Sequence, residues 1–453
     1  MTPQELKNSI LQLAIQGKLV EQRPEEGTGE ELYKQILAVN SRLVKERKIK
    51  KQKPLSEITK DDKPFDIPDN WIWCRIGNLF EIGPHNNVSD DEITGFMPMP
   101  LLDGGAFSNH MAFEEKPWRD IKKGFTHFAD GDIVVAKITP CFQNLKSGII
   151  SDCPSGYGAG TTELHVLRDH NKLELKFFLY FLKSPCFIND SKAAMTGTAG
   201  QQRVGTPVVA NHLVPLPPLA EQKRIVDKIE ELIPLVDRYE KAWTVLEEFN
   251  KKFPDDMKKS ILQQAIQGKL VEQKEDEYVD VSKINKKKNS SIETLEFEIP
   301  NNWAVGTIES VCELVPTKQY QILENQVLPT GKFPVISQSK EYQIGFTNEE
   351  SKLYHVKEPL VAFGDHTTVV KYIDFDFVVG ADGLKLFKPN EIIIYKYLYY
   401  ALQFLTCGLG KVGGYSRHYK FFKNKPMPIP PLAEQKRIVA KIEELLPLCE
   451  KLK

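Results

Sequence analysis

Two long phrases occur twice in this chain, and that duplication limits its architecture before any residue is considered singly. PPLAEQKRIVDKIEELIPL at 217–235 returns as PPLAEQKRIVAKIEELLPL at 430–448, changed only at Asp227/Ala440 and Ile233/Leu446. SILQLAIQGKLVEQ at 9–22 returns as SILQQAIQGKLVEQ at 260–273, changed only at Leu13/Gln264. Self-similarity on this scale means one structural unit used twice. The order is SILQ-type phrase, large insert, PPLAEQ-type phrase, then the same again around a smaller insert.

The PPLAEQ phrase is a helix with a seam. Ile225, Ile229, Leu232, Val236, Tyr239, Trp243 and Leu246 follow one another at steps of four and three, the heptad spacing of a helix that packs on another helix. Ile438, Ile442 and Leu445 take the same positions in the second copy. The pattern predicts one bent helix over 219–249, about 45 Å long at roughly 1.5 Å per residue, kinked at Pro234. A connection through KKFPDD at 251–256 then leads to the second SILQ helix. The two ends of the chain carry the parts of a second such connection, as if a ring had been cut there. The first and last helices are therefore expected to pack together.

The SILQ helix shows Leu6, Ile10, Ala14 and Ile15 on one face and Gly17 as its C-terminal cap; Gly268 is its counterpart. Thr28 and Glu31 form a capping-box pattern before Leu32, Ile36, Val39 and Leu43. Basic runs follow in both halves, Arg47, Lys48, Lys50, Lys51 and Lys53 in the first and Lys283, Lys286, Lys287 and Lys288 in the second. Such runs are most often solvated connectors.

After each run comes a matching opening, IPDNW at 67–71 and IPNNW at 299–303, so the inserts lie at about 65–215 and 297–428. GDIVVAKI (131–138) and PLVAFGD (359–365) read as buried strands, KFFLYFLKS (176–184) and KYLYYALQF (396–404) as apolar helices. TAGQQRV (198–204) sits where VGGYSRH (412–418) lies, which pairs Arg203 with Arg417. The inserts thus read as one fold used twice with divergent loops. The whole divides into a helical segment and connector at 1–64, the first insert at 65–215, a central helical region at 216–273, a connector at 274–296, the second insert at 297–428 and a final helix at 429–453.

A chain of 453 residues can form three domain-sized units. Its net charge of −1 means that any contact with a polyanion must come from local patches. Seven cysteines without a CxxC pair suit buried thiols in a reducing compartment. No apolar run reaches membrane-spanning length, and the start lacks a signal-peptide core.

Catalytic signatures are scarce. GLGKVG at 408–413 matches GxGxxG, but it follows a helix where a dinucleotide site needs a strand. There is no GxxxxGK[ST] loop, no HExxH, and no Asn-Pro-Pro-aromatic or Asp-Pro-Pro-aromatic tetrapeptide. FGDH at 363–366 reads as a strand end and turn. No catalytic residue and no metal ligand is assigned.

Recognition-type loops are present. Lys137, Gln143, Asn144 and Lys146 follow the first buried strand, and Gln201, Gln202 and Arg203 lie among glycines. The second insert offers Lys411, Tyr415, Ser416, Arg417, His418 and Lys420. Arg can bind guanine bidentately, Gln or Asn can bind adenine, and Lys neutralises phosphate, so these types suit duplex reading.

Taken together, AIQGKLVEQ, IPxNW, GDIVVAKITPCFQN, GTTELHVL, GTAGQQRV and the LPPLAEQ and IPPLAEQ junctions resemble the DNA-specificity subunit of type I restriction-modification systems over essentially the whole chain. The resemblance implies an α+β fold: two similar target-recognition domains of mixed sheet and helix, joined by long antiparallel coiled-coil helices about a pseudo-twofold axis. It also implies a non-catalytic protein in the cytoplasm. Each domain would read half of a bipartite asymmetric site in double-stranded DNA, and the helices would fix the spacer and dock two modification subunits. S-adenosylmethionine would then reside on those partners, with ATP and Mg on restriction and translocase subunits, and no cofactor in this chain. Half-sites one helical turn apart, about 34 Å, lie within reach of a helical pair of the length above. The alternative is a scaffold whose helices bind protein and whose heads bind no DNA.

Overall fold

The computed structural model describes residues 1–50, 54–198, 200–289, 292–380, 383–407, 409 and 417–451. The chain divides into two compact units, Met1–Val245 and Leu246–Lys453.

The first unit opens on the helix Pro3–Ile15, whose start is fixed by a capping box between Thr2 and Glu5 that the sequence reading passed over. Its end is fixed by Gly17 at φ +68°, where the Lys18 amide donates to Leu13 C=O at 2.9 Å. A Cβ at Gly17 would lie 2.4 Å from Pro68, so this glycine also allows the IPDNW segment to close on the helix. The helix Gly29–Lys45 starts at the predicted box: Glu31 N donates to Thr28 Oγ1 at 3.2 Å and Thr28 N to Glu31 Oε2 at 3.1 Å.

The insert is closed by a two-stranded antiparallel ribbon of Ile72–Arg75 and Leu213–Leu216. Inside it are two four-stranded sheets. One has the order Phe80–Ile82, Leu164–Asp169, Ile133–Ala136, Ser147–Ile149, antiparallel throughout. Its strand Ile133–Ala136 is buried at all four residues, as a continuous apolar run requires. The other has the order Glu114–Pro117, Ile93–Met97, Tyr157–Gly160, Thr126–Ala129, with a parallel central pair. The apolar helix Leu175–Leu182 buries Phe177, Phe178 and Phe181 in one core with Ile10, Leu11, Ile225 and Ile229.

The second unit repeats this plan. Ala304–Gly306 and Met427–Ile429 close the insert. Cys312–Val315, Leu384–Pro389, Leu360–Gly364 and Val370–Ile373 form the antiparallel sheet. The second sheet keeps the hairpin Phe333–Ile336/Gly345–Thr347 and its parallel neighbour Val378–Gly380. The outer edge of that sheet differs. Gln321–Ile322 lies parallel there, where the first unit has the antiparallel Thr126–Ala129. Tyr397, Leu398 and Ala401 of the helix Tyr395–Leu405 share a core with Ile261, Leu262, Ile438 and Ile442.

The repeated phrases recur because they meet. In the first unit the indole of Trp71 donates to Glu221 at 2.9 Å, and Arg224 holds Glu26 at 2.8 and 2.6 Å. In the second, Trp303 donates to Glu434 at 2.9 Å, and both Arg437 contacts to Glu277 are 2.8 Å. Gln222 and Gln435 donate to Pro217 C=O and Pro430 C=O at 3.0 and 2.8 Å, so the PPLAEQ junction is bonded to itself.

One expectation needs correcting. The helix expected over 219–249 runs from Leu219 to Ile266, through Pro234 and Pro254, with no break at 251–256. A proline removes one helical N–H and crowds one turn, but this stretch is otherwise rich in helix-forming residues, and Asp256 pairs with Lys259 at 3.0 Å across the next turn. Ile225, Ile229 and Val236 are buried, Leu232, Tyr239 and Trp243 are half-buried, and Leu246 is 54% exposed. In the second copy Ile438 and Ile442 are buried and Leu445 half-buried. The thiols are not uniformly buried either: Cys74, Cys153, Cys312 and Cys449 are, whereas Cys407 is exposed.

Candidate nucleic-acid interface

In the first unit the two polar loops are laced together by main-chain bonds. The strand Ile133–Ala136 runs into 137–148, and there Thr139 N donates to Gln202 C=O and Val204 N to Lys137 C=O, both at 2.9 Å. Arg203 pairs with Thr196 through main-chain bonds of 2.8 and 3.1 Å in an isolated antiparallel bridge. Lys137, Gln143, Asn144, Gln201, Gln202 and Arg203 therefore lie on adjoining loops. Gln143, Asn144 and Gln201 are exposed, and Lys137, Gln202 and Arg203 are half-buried. Lys146 points inward, and its ammonium donates to Met99 C=O at 3.0 Å.

A third loop joins them. The hairpin loop at 98–113 donates from Gly105 N to Asn144 C=O at 3.1 Å. It is held from beneath by Lys183, 1% exposed, which donates to Gly105 C=O at 2.8 Å and Ser108 C=O at 2.6 Å. Burial pushes the Lys183 ammonium down to about 7. The second unit has the same device on its corresponding hairpin loop: Lys371, 3% exposed, donates to Ser337 C=O at 2.8 Å and Tyr342 C=O at 3.1 Å.

Arg203 carries a partner that sequence reading missed. Its Nε lies 3.1 and 3.0 Å from the Glu163 carboxylate oxygens, its Nη2 lies 2.8 Å from Oε1, and Nη1 donates to Gln201 C=O at 2.9 Å. The guanidinium holds the Glu163 carboxyl below its usual range through these bonds. Glu163 lies in GTTELHVL, forty residues from Arg203, and no local pattern links the two. Two residues on, His165 is buried and its Nε2 lies 2.8 Å from Val204 C=O; burial pushes its imidazole down to about 4.

The second unit presents less. Arg417 and Lys420 are exposed, and Lys420 lies 4.8 Å from the Phe421 ring centroid. His418 is 1% exposed. Its amide donates to Asp365 C=O at 2.7 Å, and Tyr419 N donates to Asp365 Oδ1 at 2.8 Å. FGDH is thus a strand end whose aspartate ties down the 418–419 backbone. Lys411, Tyr415 and Ser416 lie outside the described residues, as does most of GLGKVG. Among the described residues no cluster of three or more His, Cys, Asp or Glu could hold a metal ion.

The family whose description is "Type I restriction modification DNA specificity domain" matches residues 68–242 and 300–452. The chain belongs to this family. The first matched stretch covers nearly all of one insert and the first half of the helix Leu219–Ile266, and the second covers nearly all of the other insert and the helix Leu432–Glu450. The EcoAI specificity subunit of Escherichia coli is 32% identical over 531 aligned residues, 99% of this chain and 90% of that relative. The EcoEI specificity subunit of the same organism is 45% identical over 237 residues, 52% of this chain and 40% of the relative. Among solved structures, the crystal structure of the HsdS subunit from Thermoanaerobacter tengcongensis superposes with a TM-score of 0.54 at 19% identity, covering 86% of this chain and 92% of that one. At that identity the likeness is one of fold.

Proposed function

We propose that this specificity subunit reads a bipartite, asymmetric site in double-stranded DNA, one half with each insert, and catalyses nothing itself. The observation that carries the reading is that both units keep the same ribbon, antiparallel sheet and hairpin-plus-parallel-strand core, yet differ at the second sheet's edge and in the loops after the buried strand. A constant frame with unlike loops suits two different half-sites. In the first unit, Lys137, Gln143, Asn144, Gln201, Gln202 and Arg203 supply phosphate and base-edge chemistry on adjoining loops. In the second, Arg417 and Lys420 are the exposed candidates among the described residues, and His418 is buried.

Adenine methylation is then the work of two modification subunits that carry S-adenosylmethionine and dock on the helices. Restriction and translocase subunits bring ATP and Mg. By the same reading the complex works in the cytoplasm, with these partners. Mapping methylated adenines in a host that expresses the chain with its modification subunits tests this. One bipartite motif that vanishes when this chain is deleted is the expected result. Methylation that persists without it, or a motif with a single continuous half, contradicts the reading.

A further inference from the structure

We propose that Glu163 is a positioning residue for base reading, holding the Arg203 guanidinium so that its outer edge is presented to a guanine. The proposal rests on the reading of Arg203 as a base contact. Arginine has five N–H donors in a rigid planar fork. Three are engaged within the chain: Nε–H and one Nη2–H by Glu163, and one Nη1–H by the Gln201 carbonyl. Two remain, one on each terminal nitrogen, with no hydrogen bond among the described residues. Such a pair matches the O6 and N7 acceptors of guanine in the major groove.

The surroundings make this orientation durable. Glu163 C=O accepts from Lys137 N at 2.9 Å, and its own amide donates to Thr161 Oγ1 at 3.2 Å. The Arg203 backbone is bonded in both directions to Thr196, and the residues on either side of it are bonded to Thr139 and Lys137. Both partners are therefore fixed at their main chains before the side chains meet. The Arg203 side chain is 42% exposed and the Glu163 side chain 24%, so the guanidinium reaches solvent while the carboxylate sits behind it. An arginine already held in one orientation loses less conformational freedom on binding.

The test uses this chain assembled with its modification subunits and a duplex carrying the site found by methylation mapping. Dissociation constants are measured for that duplex and for a scrambled one at fixed salt. Arg203→Ala should lower the ratio of specific to non-specific affinity by roughly 10- to 100-fold, the range of a bidentate base contact. Glu163→Gln, which keeps shape and removes charge, should lower that ratio by about tenfold while leaving non-specific affinity equal or tighter. Replacing the contacted guanine by 7-deazaguanine should then weaken wild type but not Glu163→Gln. Arg203→Lys, which keeps the charge without the fork, should lose discrimination as Arg203→Ala does. If Arg203→Ala reduces discrimination and Glu163→Gln does not, or if Glu163→Gln tightens specific binding, the positioning role is overturned. If Arg203→Ala itself changes nothing, the base-contact reading falls with it.

Discussion

The indole N–H of Trp71 donates to the Glu221 carboxylate at 2.9 Å, joining the IPDNW segment to the PPLAEQ junction 150 residues later. Glu221 has no exposed surface, and burial raises its carboxyl above the usual range while the Trp71 and Asn70 bonds oppose that rise. Glu434 repeats the arrangement with Trp303. An insert thus leaves and rejoins the helical frame at one buried carboxylate.

Trp71→Phe removes the donor together with part of the buried ring that packs edge-on against Phe177, ring centroids 6.3 Å apart. A buried acceptor left short of a partner costs about 1–3 kcal/mol. Chemical denaturation should show that loss, and Trp303→Phe should show a similar one. A change within experimental error would mean that neither the indole hydrogen bond nor the lost ring volume contributes to stability.

His165 gives the first unit an acid limit. Its imidazole is pushed down to about 4 by burial, below the ordinary value of 6.5. The unfolded chain therefore takes up a proton between pH 6.5 and 4 that the folded chain refuses, so stability is complete above 6.5 and declines as pH falls through that window. The decline should reach about 3 kcal/mol at its limit. His165→Gln, which can still donate to Val204 C=O, should flatten the pH dependence of denaturation over that range. An equally steep profile in the variant would place the acid limit elsewhere.

Lys183 should be needed for the order of the 98–113 loop. Lys183→Met keeps the stem and strands the Gly105 and Ser108 carbonyls, so amide hydrogen exchange in 103–110 should accelerate, with a stability loss of about 1–3 kcal/mol. The lysine's own titration adds a signature. Its folded value of about 7 lies below the ordinary 10.5, so its contribution is greatest above 10.5 and is lost progressively as pH falls from 10.5 to 7. In wild type, loop exchange corrected for intrinsic rate should quicken as pH falls from 10.5 to 7 and level off below that, and Lys183→Met should lose that dependence. Unchanged exchange in the variant would show that other contacts hold the loop.

What the sequence disclosed follows from what its repeats had to do. Gly17, Trp71 and Glu221 meet in space, as do Gly268, Trp303 and Glu434, and a phrase whose members touch one another is copied whole. Apolar runs such as Ile133–Ala136 and Leu175–Leu182 also declared their states, because burial on all sides leaves little choice of composition. The continuity of Leu219–Ile266 through Pro254 was not legible, since a local breaker was outweighed by its helical surroundings. Glu163 and Lys183 were missed for a different reason. One reads as an ordinary surface acid and the other as the polar end of an apolar helix, and only the tertiary fold brings them to Arg203 and Gly105.

Exchange of the first head is the most direct measurement of the central claim. Residues 65–215 would be replaced by the corresponding segment of another specificity subunit, and methylated adenines would be mapped before and after in the presence of the modification subunits. Modular reading predicts a new sequence in one half of the site and an unaltered sequence in the other. A change in both halves, from a chain that still folds and assembles, would contradict it.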